Sequence, residues 1–198
     1  MSNYPTFNVL ADEAAGPAAN IGDNRLLQGI GFPLVPVSQA GSGGQYPGPT
    51  RVLLGESFAA QTPTALGAAG AIQIAFGAAQ GTPADPVQMD SLGTVTFNQT
   101  GVYGIDMRIT AKRTSNPQST TLVLRALLDG VQAGNPIAVV MGDNADSQYE
   151  QYTIAGSIPA GTTLRWEVMR EGFDDGGLLS LTTGWGPTPS ALIRILKF

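Results

Sequence analysis

Read for the alternation of apolar and polar positions, the chain changes character near residue 50. From Arg51 onward, short runs of period two are separated by turn-forming residues. The cleanest run is VYGIDMRITAK (102–112), with Tyr103, Ile105, Met107, Ile109 and Ala111 on one side and Asp106, Arg108, Thr110 and Lys112 on the other. Such alternation, rich in β-branched and aromatic residues, predicts a half-buried strand. AIQIAFG (71–77) places Ile72, Ile74 and Phe76 together, and TVTFN (94–98) does the same for Val95 and Phe97. TLVLRALLDG (121–130) reads as a strand closed by an Asp-Gly turn, followed by PIAVVMG (136–142). YEQYTIAGSI (149–158) groups Tyr152, Ile154 and Ile158, and TTLRWEVMR (162–170) sets Leu164, Trp166 and Val168 against Arg165, Glu167 and Met169. LLSLTT (178–183) reads as a short strand, GWGPTP (184–189) as a loop and SALIRILKF (190–198) as the closing strand. Eight to ten strands with no helical period predict an all-β sandwich or barrel.

The closing strand is apolar on both sides, with Leu192, Leu196 and Phe198 on one and Ala191, Ile193 and Ile195 on the other. In a two-sheet sandwich the outer face of a strand is normally wet. Cover is therefore expected, either from another subunit, the favoured reading, or from the protein's own N-terminal segment. A dimer or a trimer satisfies that demand equally.

Residues 1–50 read as an extended, largely irregular arm, and 51–198 as the β domain. Pro5, Pro17, Pro33, Pro36, Pro47 and Pro49 exclude a helix of useful length, and SQAGSGGQYPGP (38–49) has linker composition. The arm nevertheless carries Tyr4, Phe7, Leu10, Leu26, Leu27, Ile30, Phe32 and Leu34 and few charges. Disordered tails are usually charged and poor in apolar residues. An apolar arm without a core of its own needs a surface to lie on, a partner's or its own domain's.

Charged residues make up 13% of the chain, about half the usual share. With 26 Gly and 14 Pro, this fits a surface occupied by partners, or simply a turn-rich β protein. The net charge is −5, and the ten Lys and Arg are scattered, so a nucleic-acid footprint is missing. No run of about 18 apolar residues suggests a membrane span. The N-terminal MSNYPTFNVLADEAAG lacks the basic and apolar regions of a secretory signal, so synthesis in a cytoplasm is expected.

Cys and His are both absent, which removes thiolate chemistry, the commonest metal ligand and the usual neutral-pH base. Asp143, Asn144 and Asp146 share a loop but lack the calcium-loop pattern, and a solvated turn is expected there. Asp174-Asp175 reads the same way. No carboxylate pair stands out as a glycosidase pair. Lys112 and Lys197, the only alternative bases for a Ser or Thr nucleophile, lack the required context. Gly-rich 41–48 opens no helix and is not a phosphate loop. No enzyme activity, metal or cofactor is expected. Trp166, Trp185 and Phe173 are the residues of a sugar-stacking type; Trp166 reads as core, while Trp185, in a Gly/Pro loop, is a candidate glycan contact.

Several segments, in order, resemble the C1q/TNF-like jelly-roll domain. ESFAAQTPT (56–64) resembles its opening strand and IQIAF (72–76) its Ile-x-Phe segment. DSLGTVTFNQTGVYGIDMRITA (90–111) resembles the stretch in which Asp and Gly precede a Phe strand and Gly-x-Tyr opens a long central strand. IPAGTTLRWEV (158–168) resembles its late strand, whereas ALIRILKF departs from the usual Gly-Phe-rich ending. The resemblance covers about three quarters of the chain. It implies a homotrimer, with Tyr103 as a core or axis aromatic and the closing strand, Leu192, Ile193, Ile195, Leu196 and Phe198, lining the interface. It also implies that both termini emerge at one base. A jelly roll with an apolar arm, no Cys and no His is similar in kind to bacteriophage capsid decoration (cement) proteins. The implied partners are further copies of itself and a major capsid protein or other virion protein. The implied location is the capsid surface. The alternative is a receptor- or glycan-binding knob of a tail or head fibre, which usually follows a repeat shaft that is missing here.

Overall fold

In a computed structural model, which describes residues 48–113, 119–142, 147–173 and 175–198, the alternating runs become strands. In chain order they are β1 (Thr50–Ser57), β2 (Ile72–Gln73), β3 (Val87–Met89), β4 (Val95–Phe97), β5 (Gly101–Lys112), β6 (Thr120–Leu128) and β7 (Val131–Met141). They continue with β8 (Ser147–Ile158), β9 (Thr163–Glu171), β10 (Gly177–Leu178), β11 (Thr182–Thr183), β12 (Gly186–Pro187) and β13 (Ala191–Lys197). The described residues contain one turn of 3-10 helix, Ala68–Gly70, and no α-helix. The arm residues Tyr4, Phe7, Leu10, Leu26, Leu27, Ile30, Phe32 and Leu34 lie outside the described residues.

The pairing defines a jelly roll. Take the principal strands in order: β1, β4, β5, β6, β7, β8, β9 and β13. The first pairs with the last, the second with the seventh, the third with the sixth and the fourth with the fifth, all antiparallel. This is one long hairpin rolled on itself. The lateral pairs β13–β5 and β9–β6 complete two sheets, β8-β5-β13-β1 and β3-β4-β9-β6-β7. The core lies between them. Ile105, Met107 and Ile109 of β5 and Ile193 and Ile195 of β13 belong to the same buried cluster as Leu122 and Leu124 of β6 and Leu164, Trp166 and Val168 of β9.

The Asp-Gly turn forms as expected. Asp129 and Gly130 have φ of 49° and 80° and join β6 to β7 directly, Leu128 opposite Val131. Both central residues at positive φ match the right-handed twist of the hairpin strands. Thus β7 starts five residues before the expected Pro136.

Two expectations fail at the edge of β5. The segment 178–183 is not one strand, and 184–189 is not simply a loop. β13 pairs with β5 from Tyr103 to Ile109, leaving only Ala111 and Lys112 for β10. The chain must then leave that edge, and it does so as the β11–β12 hairpin. Strand β3, pairing with β4, was not expected either.

Pairing of Thr50 with Lys197 puts the start of β1 beside the end of β13. That basal end also carries the short turns before β5, between β6 and β7 and before β9. The opposite, distal end carries the longer connections 58–71 and 172–190.

Candidate functional site

The outer face of the β8-β5-β13-β1 sheet carries the surface of interest, because alternation directs every second side chain of these strands away from the core. Across its middle runs a polar row, Arg194, Asp106 and Thr153 in register, with Leu54 of β1 at its end. Arg194 donates from Nε (3.1 Å) and from its terminal nitrogen to Asp106 Oδ2, and Thr153 Oγ1 donates to Oδ1 at 2.8 Å. Burial pushes the Asp106 carboxyl up. The hydrogen bonds from Arg194 and Thr153, and the charges of Arg194 and Arg108, outweigh it, so the net shift is below the ordinary value.

Basal to that row apolar side chains cluster, rimmed by the exposed Arg51 and Ser157 in register with Leu196 and Val102. Phe198 is 63% and Val102 49% exposed, and Leu196 is half-buried. The Phe198 ring lies on Gly104, where a Cβ would stand 3.0 Å from Phe198 Cε2, and the Phe198 N–H donates to the Val102 carbonyl at 2.9 Å. Ala155, beside Gly104 on β8, is exposed and adds no polar atom to its side chain.

Distal to the row is a groove of about 440 Å³. Its floor is Arg108, Tyr149 and Leu192, and its wall is Leu181, Thr188 and Pro189. The wall is the foot of the β11–β12 hairpin, closed by the Thr188 N–H donating to the Leu181 carbonyl at 2.8 Å. At its tip the Thr183 hydroxyl donates to the Gly186 carbonyl (2.6 Å) and accepts from the Trp185 N–H (3.2 Å). Trp185 is 103% exposed. The Gly/Pro-loop residue expected to reach solvent does so.

The candidate interface residues therefore divide. Tyr103, Ile193 and Ile195 are fully buried in the protomer's own core, which corrects their assignment to an interface. Alternation points them between the sheets, where they have no surface to give a partner. Tyr103 packs edge-on against Phe97 with centroids 4.8 Å apart, and its hydroxyl donates to the Gln99 carbonyl at 2.7 Å. Leu196 and Phe198 remain on the outer face at the basal patch, whereas Leu192 lies in the distal groove. Trp166 is core, stacked on Tyr152 at 6.1 Å.

Asp175 corrects the expectation of a solvated turn. It is 2% exposed. Thr120 Oγ1 donates to the Asp175 carbonyl and Arg170 Nε to the Gly176 carbonyl, at 2.9 and 2.8 Å. Asp174, Asp143, Asn144 and Asp146 lie outside the described residues. No group of three or more metal-ligating side chains gathers among the described residues. Lys197 Nζ donates to Gln99 Oε1 at 2.7 Å, not to a Ser or Thr. Arg108, read from the sequence as merely solvent-facing, and Tyr149 were missed as groove residues. The sequence placed Arg108 only in the outward phase of its strand; the neighbours that make the groove come from the β13–β5 and β8–β5 pairing, which alternation does not specify.

No protein-family model and no curated protein matches the chain. Among solved structures it is similar to Eiger TNF from S. frugiperda, with 15% identity and a TM-score of 0.38, over 73% of this chain and 93% of that one. The jelly roll itself is fixed by the strand pairing.

Proposed function

We propose that this chain is a virion structural protein, a capsid decoration protein that self-associates as a trimer and straps onto the major capsid protein through residues 1–50. The observation that supports this best is the apolar basal patch of Phe198, Val102 and Leu196 on a sheet face that would otherwise be wet. Exposed apolar patches of this kind mark association surfaces. Both ends of the jelly roll lie at the same base, so three copies joined there present three arms from one platform. Linked arms bind as a set and multiply weak contacts. A trimer bridging neighbouring shell subunits stabilises the assembled shell by linkage. No reactive group is needed for either effect.

Deleting residues 1–47 is expected to leave the number of subunits per oligomer unchanged and to abolish cosedimentation with capsid shells. A truncated protein that still saturates shells rules out the strap.

A second reading is a receptor- or glycan-binding knob, favoured by the fully exposed Trp185 at the end opposite the termini. Trp on a rigid turn is a frequent binding anchor. Saturable binding to glycans, lost in Trp185→Ala, is the expected result under this reading.

A further inference from the structure

We infer that the distal groove binds a carboxylated sugar, with Arg108 holding the carboxylate and Tyr149 supplying the face on which the ring lies. This sharpens the second reading above from sugars in general to acidic ones, and it does not depend on the first.

Arg108 is the starting observation. Its Nε is buried and has no hydrogen-bond partner, and the side chain makes no ion pair among the described residues. The nearest acid in the sheet, Asp106, is already taken by Arg194 and Thr153. A buried donor left unmade is costly; Arg165 Nε shares that condition, but the Arg165 head is paired with Glu167 at 3.3 Å, whereas the Arg108 head has no such partner among the described residues. The guanidinium presents a planar fork that matches a carboxylate in two parallel hydrogen bonds. Arg108 acts on Asp106 only through its charge, so its hydrogen-bonding fork stays available to an anion in a chain of net charge −5.

The rest of the groove suits a sugar. Its volume of about 440 Å³ falls within the range of small-molecule sites. Tyr149 is 57% exposed, and neither its hydroxyl nor that of Ser147 has a partner among the described residues. Leu181, Pro189 and Leu192 offer an apolar surface for the C–H face of a ring. Arg108 also sits in the middle of the sheet, with β5 paired to β13 on one side and β8 on the other. An extended peptide seated over Arg108 would find no free backbone groups on β5 to pair with, and those nearby lie on the outer edge of β8, whereas a sugar lying on the face needs none. Trp185, raised on the hairpin whose foot walls the groove, offers a second stacking face to the next residue of a longer glycan.

The test uses the full-length protein and calorimetric titration with sialyl-lactose and a galacturonic-acid trisaccharide, each beside its carboxyl-reduced form. The acidic forms are expected to bind about tenfold or more tightly than the reduced ones, the size of one charge-assisted bidentate contact. Arg108→Gln is expected to erase that preference, and Tyr149→Ala to weaken both forms. Should Arg108→Gln not fold, the acid-against-reduced comparison on the unmodified protein decides alone. Equal affinity for the two forms, no binding at millimolar sugar, or stronger binding of a glutamate-rich peptide overturns the proposal. So does a changed oligomeric mass in Arg108→Gln, which would assign the groove to a second copy's carboxylate. Sugar binding that ignores the carboxyl and vanishes in Trp185→Ala would keep the receptor reading while removing this one.

Discussion

Asp106 carries a testable charge at the residue scale. Its folded pKa lies below the ordinary value because hydrogen bonds and charges from Arg194, Thr153 and Arg108 outweigh the effect of burial. A depressed carboxylate contributes stability above its unfolded pKa and loses it as pH falls through the folded one. The melting temperature is therefore expected to drop below about pH 4, with Asp106→Asn flattening that acid limb. Parallel acid limbs in the two proteins would show that Asp106 has no such role. Tyr152 acts at the other extreme, pushed up to about 12 by burial and by the charge of Glu150. The folded state keeps its phenol protonated, so stability is full below pH 10 and falls as pH rises toward 12. Tyr152→Phe is expected to reduce that alkaline loss in the same melting series. Not every residue could be read this way from the sequence. Arg113 and Arg170 follow Ala111 and Val168 in the inward phase of their strands, and both are buried. A charge in an inward phase reads as the end of a strand. Only the folded distal end shows Asp175 buried as well, next to the Gly176 whose carbonyl accepts from Arg170 Nε.

Elements were legible where their cause is local. The Asp129-Gly130 turn was, because its chemistry is contained in two residues. Its Asp129 Oδ1 also accepts from the Thr163 N–H at 2.7 Å and the Thr163 hydroxyl at 3.1 Å. Gly130→Val forces a β-branched residue to positive φ and is expected to cost about 1–2 kcal/mol in urea unfolding. An unchanged unfolding midpoint would mean that the turn does not set the β6–β7 register. The central strand β5 was legible for the same reason, its alternation persisting from Tyr103 to Ile109; Thr110, expected to face water, is instead buried, with its hydroxyl donating to the Pro189 carbonyl. The β10–β12 region was not. Where LLSLTT breaks is decided by how much of the β5 edge β13 leaves free, and that competition involves residues far apart in sequence. β3 likewise exists only because β4 pairs with it. The groove shares this origin, since its wall is the hairpin expelled from that edge.

For the whole molecule, the decisive feature was the two-faced closing strand. One face is core, as Ile193 and Ile195 show by complete burial. The other carries an apolar basal cluster, a polar row at its middle and a groove of mixed character distally, a division that alternation alone does not reveal. Covering the remaining surface of Phe198 would contribute about 2 kcal/mol per copy. Val102 and Leu196 add to it, against the cost of association. The mass of the full-length protein in solution, measured by light scattering beside the double variant Leu196→Gln/Phe198→Ser, tests this most directly. A mass of about 61 kDa, three times the 20.4 kDa chain, falling toward a single chain in the variant, is the predicted result. A monomeric parent protein, or a variant that keeps the parent's mass, would contradict assembly through the basal patch.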